Sequence, residues 1–314
     1  MVIVSVVQNE NVEFAVQKVI SLLGGIERFL NPRDKVIIKP NLVVDLPSDT
    51  GVTTDPRVVQ AIVELCKRVD PSKITIAEGS GGVDTKIAFE RCGYTDLAQK
   101  YNVELLDLNE SQTRLVDVPN GKAIDVLNVP DVILESDVLI NVPKLKLYSY
   151  PWASLAIKNL LGTVPGKGEY SQTSSLDFPI KLSNEYLTPE RKGPWFGPRG
   201  EKQRIHKKFA ESIVDLNTVI QPSLTVIDGI VAGYGKKFSE GAKPLELNTI
   251  LAGKDPLALD YIATKIAGLN PLEISYLKHA SERGIGESDY HLIQVVGTPL
   301  DKIIKTWENR LANK

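Results

Sequence analysis

Short apolar runs alternate along this chain with longer segments in which apolar residues recur every three or four positions. The short runs are rich in Val and Ile and are bounded by polar or glycine-containing turns, a pattern typical of strands buried in a sheet. The predicted strands cover residues 2–7, 35–38, 73–77, 103–106, 138–140, 224–227, 248–252 and 292–296.

Helical spacing is found between these runs. Two of the helical segments begin with a capping side chain before a proline in the first turn, at Asp55-Pro56 and at Asp255-Pro256. Strands that alternate with helices predict an α/β fold, with a mostly parallel sheet covered by helices on both faces. The predicted helices cover residues 12–23, 56–68, 84–91, 151–160, 206–219, 256–267 and 271–282.

Two segments interrupt the alternation. Residues 114–118 and 123–126, joined by Pro-Asn-Gly-Lys, predict an inserted hairpin. Residues 163–204 are rich in Gly and Pro, and a long stretch without regular structure inside a compact domain is usually functional or disordered. We expect this stretch to be a lid, an arm that joins copies into a homo-oligomer, or a plain surface loop. The chain then divides into an α/β core at 1–162, a loop insertion at 163–205 and the remainder of the core at 206–314.

Composition narrows the classes of function. The net charge of −2 over 314 residues argues against nucleic acid as a partner. The amino terminus lacks the basic segment of a signal peptide, and no apolar run approaches the roughly 18 residues of a membrane span. We therefore expect a cytoplasmic protein without a membrane partner. Cys66 and Cys92 lie far apart, which favours buried thiols. A count of two cysteines excludes an internal iron–sulfur cluster with four Cys ligands.

Polar residues follow two of the predicted strands directly. Lys39 and Asn41 follow one strand, and Glu78 and Ser80 follow the next. In a parallel sheet the carboxyl ends of strands border a ligand crevice. An ammonium group there can hold a carboxylate or phosphate, and Glu78 can ligate a metal or act as a base. A solvated lysine and a simple turn would explain the same residues equally well.

The strongest polar signal surrounds the apolar run at residues 138–140. Lys144 and Lys146 alternate with leucines, so both ammonium groups project the same way from an extended backbone. A helix that ends in its usual lysine would account for Lys158 alone. We therefore predict an anion-binding crevice. Its residues in this segment are Asn141, Lys144, Lys146, Lys158 and Asn159.

Acid–base and metal-binding candidates are fewer. His206, at the start of a predicted helix, is a candidate acid or base, although no histidine pair has metal-ligand spacing. Asp228 follows a predicted strand and is a candidate base or ligand. Asp255 is also explained as a helix N-cap. An alternative is a divalent-metal site formed by Glu78, Asp228, Asp255 and Asp260.

Seven motifs occur along the chain in a fixed order. They are KPNLV at 39–43, EGSGG at 78–82, NVPKLK at 141–146, AIKNLLG at 156–162, IDGI at 227–230, GKDPLALD at 253–260 and RGIGE at 283–287. Together they resemble the domain of unknown function 362 family over nearly the whole chain. Members of that family are widespread in bacteria and archaea, and many carry a ferredoxin-like iron–sulfur domain. With two cysteines, this chain is not expected to share an electron-transfer role.

The resemblance bears on one further residue. The family commonly places a histidine after its PKLK motif, where this chain has Tyr148. A tyrosine can also donate a proton, so Tyr148 joins Glu78, His206 and Asp228 as a candidate catalytic residue. The organisation is also similar to that of the lactate racemase family with its nickel-pincer cofactor, but this chain lacks the corresponding histidines.

Three functions stay open. The first is an enzyme acting on a small anionic ligand. The second is a divalent-metal-dependent hydrolase or isomerase that uses Glu78 and Asp228. The third is a non-catalytic binding or regulatory protein that uses residues 163–205. In the first, the ligand is bound by Lys39, Asn41, Ser80, Asn141, Lys144, Lys146, Lys158 and Asn159.

Overall fold

Strands and helices alternate in the computed structural model, which describes residues 1–81, 83–148, 153–165, 199–235 and 243–312, with the backbone alone at 148 and 199–208. The strands are β1 (Val2–Gln8), β2 (Lys35–Lys39), β3 (Lys73–Glu78), β4 (Glu104–Asp107), β5 (Thr113–Asp117), β6 (Val126–Pro130), β7 (Val138–Asn141), β8 (Lys144–Tyr148), β9 (Ala153–Ser154), β10 (Leu224–Gly235), β11 (Lys243–Gly253) and β12 (Ile293–Gly297). The helices are α1 (Val12–Leu22), α2 (Pro56–Lys67), α3 (Thr85–Arg91), α4 (Tyr94–Tyr101), α5 (Asp131–Leu134), α6 (Ala156–Asn159), α7 (Arg199–Val219), α8 (Pro256–Ile266), α9 (Ser275–Glu282) and α10 (Leu300–Ala312).

Ten of the described strands form one sheet, whose main path runs β12-β1-β11-β10-β7-β2-β3-β4. Along this path β11 runs antiparallel to both of its neighbours, and the other pairs are parallel. β8 pairs in parallel with β10, and β9 lies antiparallel to β8. The predicted α/β fold with a mostly parallel sheet is therefore confirmed.

Both faces of the sheet are covered. In β2, Val36 and Ile38 belong to a buried cluster that includes residues of α1 and α2. Ile37, between them, belongs to another cluster that includes Leu216 of α7. Because successive side chains of a strand point to opposite faces, these helices lie on opposite sides of β2.

The inserted hairpin forms a separate two-stranded antiparallel sheet of β5 and β6. Its second strand begins at Val126, and the prediction of a strand at 123–126 is wrong. The backbone N–H groups of Lys122, Ala123 and Ile124 donate to the carboxylate of Asp215 instead of to a neighbouring strand. A side chain from a distant helix therefore decides where this strand starts.

The helix predicted at 206–219 begins earlier, at Arg199 of α7. Its first residues are mostly Glu, Lys, Gln and Arg, which form helices well but carry no apolar spacing to mark the start. The predicted loop insertion at 163–205 therefore ends in a helix. Residues 166–198 of that insertion lie outside the described part of the chain.

The helix predicted at 151–160, in contrast, is shorter than expected. α6 covers Ala156–Asn159, and a 3-10 turn at Leu160–Thr163 follows it. Ala153 and Ser154 form β9 because they pair with Leu147 and Lys146 of β8. Among the described helices, not one combines the length and apolar character that a bilayer crossing requires.

Candidate functional site

Three neighbouring parallel strands end in polar side chains at one edge of the sheet. Lys39 ends β2, Glu78 ends β3 and Asn141 ends β7. Lys39 lies opposite Asn141 in the register of β2 and β7, and both side chains are fully buried. The structure thus brings together the strand ends that the sequence singled out.

The first contact at this edge is a buried ion pair. The Lys39 Nζ lies 2.8 Å from Glu78 Oε1 and also donates to the Pro40 carbonyl. Glu78 accepts two further hydrogen bonds, from the backbone N–H groups of Leu42 and Gly79. Burial lowers the pKa of Lys39, against the opposing effect of Glu78. The Lys39 charge is therefore balanced, and Glu78 has three donors to hold it in place.

A second buried ion pair lies on β8 and β10. The Lys144 Nζ is 2.9 Å from Asp228 Oδ2, with both side chains fully buried. Asp228 also accepts from the backbone N–H groups of Asp55 and Ile230. Like Glu78, Asp228 is held by one lysine and two backbone donors. Its hydrogen bonds join β10 to the start of α2.

Lys146 differs from these two lysines in its partners. Its Nζ donates to Asn41 Oδ1 at 2.6 Å and to the Val52 carbonyl at 2.9 Å, and both acceptors are uncharged. Burial, and then the positive charges of Lys158 and Lys144, lower the pKa of Lys146 to about 7. Among Lys39, Lys144 and Lys146, it is Lys146 whose described partners include no carboxylate.

Asparagine side chains continue from Lys146 into the helix α6. Asn41 Nδ2 donates to Asn159 Oδ1 at 2.8 Å, and Asn159 Nδ2 donates to Asn141 Oδ1 at 2.7 Å. Asn141 in turn donates to the Ala156 carbonyl. Because the Ala156 carbonyl only accepts, its contact with Asn141 fixes which way each amide in this chain is oriented. The three predicted asparagines therefore form one connected relay.

Lys158 and Ser80 lie at the borders of this cluster. The Lys158 side chain is half-buried, with its Nζ 5.6 Å from the centre of the Phe209 ring, and burial lowers its pKa to about 8. The Ser80 hydroxyl donates to the Leu42 carbonyl. Ser80 thus stabilises the turn after β2, whereas Lys158 adds positive charge beside Lys146.

Gly162 makes a close approach to the first ion pair. A Cβ atom at this position would lie 2.2 Å from Glu78 Oε1 and 2.7 Å from the Lys39 Nζ. The Gly162 carbonyl also accepts from the Gly79 N–H. In the sequence, the place of Gly162 in the AIKNLLG motif was the signal for this position. Any larger residue would push the turn off the ion pair.

Asp255 and Asp260 each accept hydrogen bonds from the first backbone N–H groups of a helix. Asp255 caps α8 by accepting from the N–H groups of Leu257 and Ala258. Asp260 accepts from the N–H groups of Ala156 and Ile157, and burial raises the pKa of its carboxyl well above the usual range. Both therefore have structural roles.

The metal site predicted from Glu78, Asp228, Asp255 and Asp260 is not assembled. Each carboxylate is engaged by its own lysine or backbone donors. Within the part of the chain that the structure describes, no group of three or more His, Cys, Asp or Glu residues could hold a metal ion. The fold thus places these four carboxylates in different surroundings.

The family comparison covers this whole arrangement. A family described as a domain of unknown function (DUF362) matches residues 36–265, which include Lys39, Glu78, Lys146 and Asp228. This chain belongs to the DUF362 family. The resemblance drawn from the seven motifs is confirmed.

A curated relative of this DUF362 chain is a thylakoid-associated protein of Synechocystis sp. The two are 25% identical over 286 residues, which cover 91% of this chain and 79% of the relative. The expectation of a cytoplasmic protein stays a prediction.

Two solved structures are similar to this DUF362 chain in fold alone. One is the lactate racemase apoprotein from Thermoanaerobacterium thermosaccharolyticum, with a TM-score of 0.43 and 15% identity. The other is a protein from Thermotoga maritima, with a TM-score of 0.41 and 11% identity. Each match covers 86% of this chain, which spans 58% and 59% of the two solved chains.

Two candidate catalytic side chains of this DUF362 chain lie outside the described residues. Tyr148 ends β8, and His206 lies in α7, but only the backbone is described at both positions. Their roles as acid or base stay predictions.

Proposed function

We propose that this edge of the sheet binds a small anion, a carboxylate or a phosphate, at Lys146. The supporting observation is the balance of charge. Lys39 and Lys144 each have a buried carboxylate partner, whereas Lys146 meets an amide oxygen and a carbonyl oxygen. A buried ammonium without a counter-ion is costly, and a bound anion would supply that counter-ion.

The surroundings of Lys146 support an anion in two further ways. Lys158 and Lys144 contribute positive charge there, which would attract an anion from solution. The relay from Asn41 through Asn159 to Asn141 fixes the acceptor of Lys146 before a ligand arrives. A site with fixed groups spends less free energy on ordering when it binds.

Isothermal titration of the full chain with oxalate and with inorganic phosphate tests this function. Wild-type protein is expected to bind at least one of them. Asn41→Asp places a carboxylate beside Lys146 with little change in shape, and it should weaken binding at least about 10-fold because the charge is then satisfied internally. Lys146→Gln, which removes the charge, should have the same effect.

Lys305→Gln is the matched control, since Lys305 is exposed and lies on α10, whereas Lys146 of the proposed site lies on β8. Its affinity should equal that of the wild type. Melting curves of all variants show whether each one is folded. The proposal would be contradicted if folded Asn41→Asp bound oxalate and phosphate with the same affinities as folded wild type.

The other two functions have no comparable support. No observation on the described residues favours a divalent-metal-dependent hydrolase or isomerase over simple anion binding. The regulatory hypothesis depends on residues 163–205, most of which fall outside the described ranges.

A further inference from the structure

The hydrogen bonds of Lys146 match those of a neutral amine. An ammonium group has three N–H donors, whereas a neutral lysine amine has two donors and a lone pair. Lys146 has two acceptors among the described residues, Asn41 Oδ1 and the Val52 carbonyl. The two donors of the amine form therefore match the two acceptors that the described residues supply.

The charged groups that face Lys146 also disfavour the ammonium form. Lys158, Lys144 and Lys39 act against its positive charge, and Glu78 acts in its favour. Glu78 is itself paired with Lys39 at 2.8 Å. With a pKa of about 7, Lys146 is neutral in a much larger fraction of molecules at neutral pH than an ordinary lysine.

We propose that Lys146 is a nucleophile that forms a reversible imine with a small carbonyl compound bearing a carboxylate or phosphate group, such as a 2-oxo acid. This inference rests on the proposed anion binding, because the positive charges of Lys158 and Lys144 attract the charged group of the ligand and so bring its carbonyl carbon to the Lys146 amine. Lysines that are buried or lie next to other cations are the ones that proteins use in this way.

The step is balanced without an oxidant or reductant. The Lys146 lone pair adds to the carbonyl carbon, a C–N bond forms, and the π pair moves to oxygen, which takes a proton. The nitrogen gives up its two protons, the oxygen gains a second proton and leaves as water with the pair of the C–O bond, and the nitrogen lone pair forms the C=N bond. Protonation of the imine nitrogen from solvent gives the iminium ion. Asn41 and the Val52 carbonyl hold the nitrogen while the bond forms.

Reductive trapping tests the inference. The full chain is incubated at pH 7 with limiting glyoxylate and sodium cyanoborohydride, and the carboxymethylated lysines are located by peptide mass spectrometry. Lys146 should be labelled at least about 10-fold faster than the exposed Lys305, because an ordinary lysine is almost fully protonated at that pH. The rate at Lys146 should rise with pH through about 7.

The rate of Lys146 labelling is compared in two variants. Asn41→Asp supplies a counter-ion that keeps Lys146 protonated, so its labelling at pH 7 should fall at least about 10-fold. Lys305→Gln should leave the labelling of Lys146 unchanged. Labelling of Lys146 no faster than of Lys305, or equally fast in Asn41→Asp, would overturn the imine.

Oxalate binding separates this failure from failure of the proposed function. Oxalate has no reactive carbonyl, so it reports anion binding alone. If oxalate binds but Lys146 is not labelled preferentially, the imine is refuted and anion binding stands. If neither oxalate nor phosphate binds and Lys146 is not labelled preferentially, both are refuted.

Discussion

Lys39, Lys144 and Lys146 differ by the acceptor that each one meets. Two face carboxylates at 2.8 and 2.9 Å, and the third faces an amide oxygen at 2.6 Å. A carboxylate stabilises the charged form of a buried lysine, whereas burial without one favours the neutral form. The sequence predicted one role for all three lysines, and the structure separates them.

The low pKa of Lys146 predicts how stability depends on pH. Below about pH 7 the proton is held in both the folded and unfolded states, and the folded state contains a disfavoured ammonium. Between about 7 and the ordinary value of 10.5 the unfolded state binds the proton and the folded state does not. The free energy of unfolding should therefore rise with pH in that window, by at most about 1.4 kcal/mol per pH unit from this group.

Urea unfolding of wild type and Lys146→Met between pH 6 and 10 measures this effect. The variant lacks the titrating group, so the free energy of unfolding of the wild type should rise relative to that of Lys146→Met across the window. Lys305→Met serves as the control and should follow the wild type. Parallel curves for wild type and Lys146→Met would show that Lys146 titrates normally.

The helix α6 has four residues, and contacts with distant segments hold it in place. It is too short to be stable by itself, and its first N–H groups, on Ala156 and Ile157, donate to Asp260 of α8. Asn159 at its other end joins the relay of amides. Helical spacing alone predicted a longer helix at this position because it does not register contacts from a distant segment.

Asp260→Ala should destabilise the protein by about 2–4 kcal/mol, because two buried N–H groups lose their acceptor. Chemical denaturation measures the change. Asp125→Ala, at an exposed position in the hairpin loop, is the control and should change stability by less than about 0.5 kcal/mol. An equal effect of the two substitutions would show that Asp260 does not hold α6.

At the scale of the whole molecule, distant parts of the chain meet at Asp215. This buried carboxylate of α7 accepts from the backbone of the hairpin loop at Lys122, Ala123 and Ile124, and from Arg283 Nη1 at 2.6 Å. The sheet also joins the two ends of the chain, since β1 pairs with β11 and β12. Segments from both sides of residues 163–205 therefore build one structure.

Asp215→Asn should lower the free energy of unfolding by about 3 kcal/mol, because an amide group cannot accept from all of these donors. Arg283→Gln should cost less, since three backbone donors still satisfy the carboxylate. Thermal and urea unfolding of the two variants give the comparison. A larger loss in Arg283→Gln than in Asp215→Asn would contradict this order.

The sequence by itself determined the α/β fold, most strands and helices, the family and the strand ends that carry polar groups. Those features depend on the spacing of apolar residues over short stretches and on motifs of consecutive residues. The tertiary structure alone decided which lysine received a carboxylate, because Lys39 and Glu78 are 39 positions apart and Lys144 and Asp228 are 84 positions apart. It also decided that Lys146 faces Asn41 across 105 positions, and the character of that amine follows from this contact.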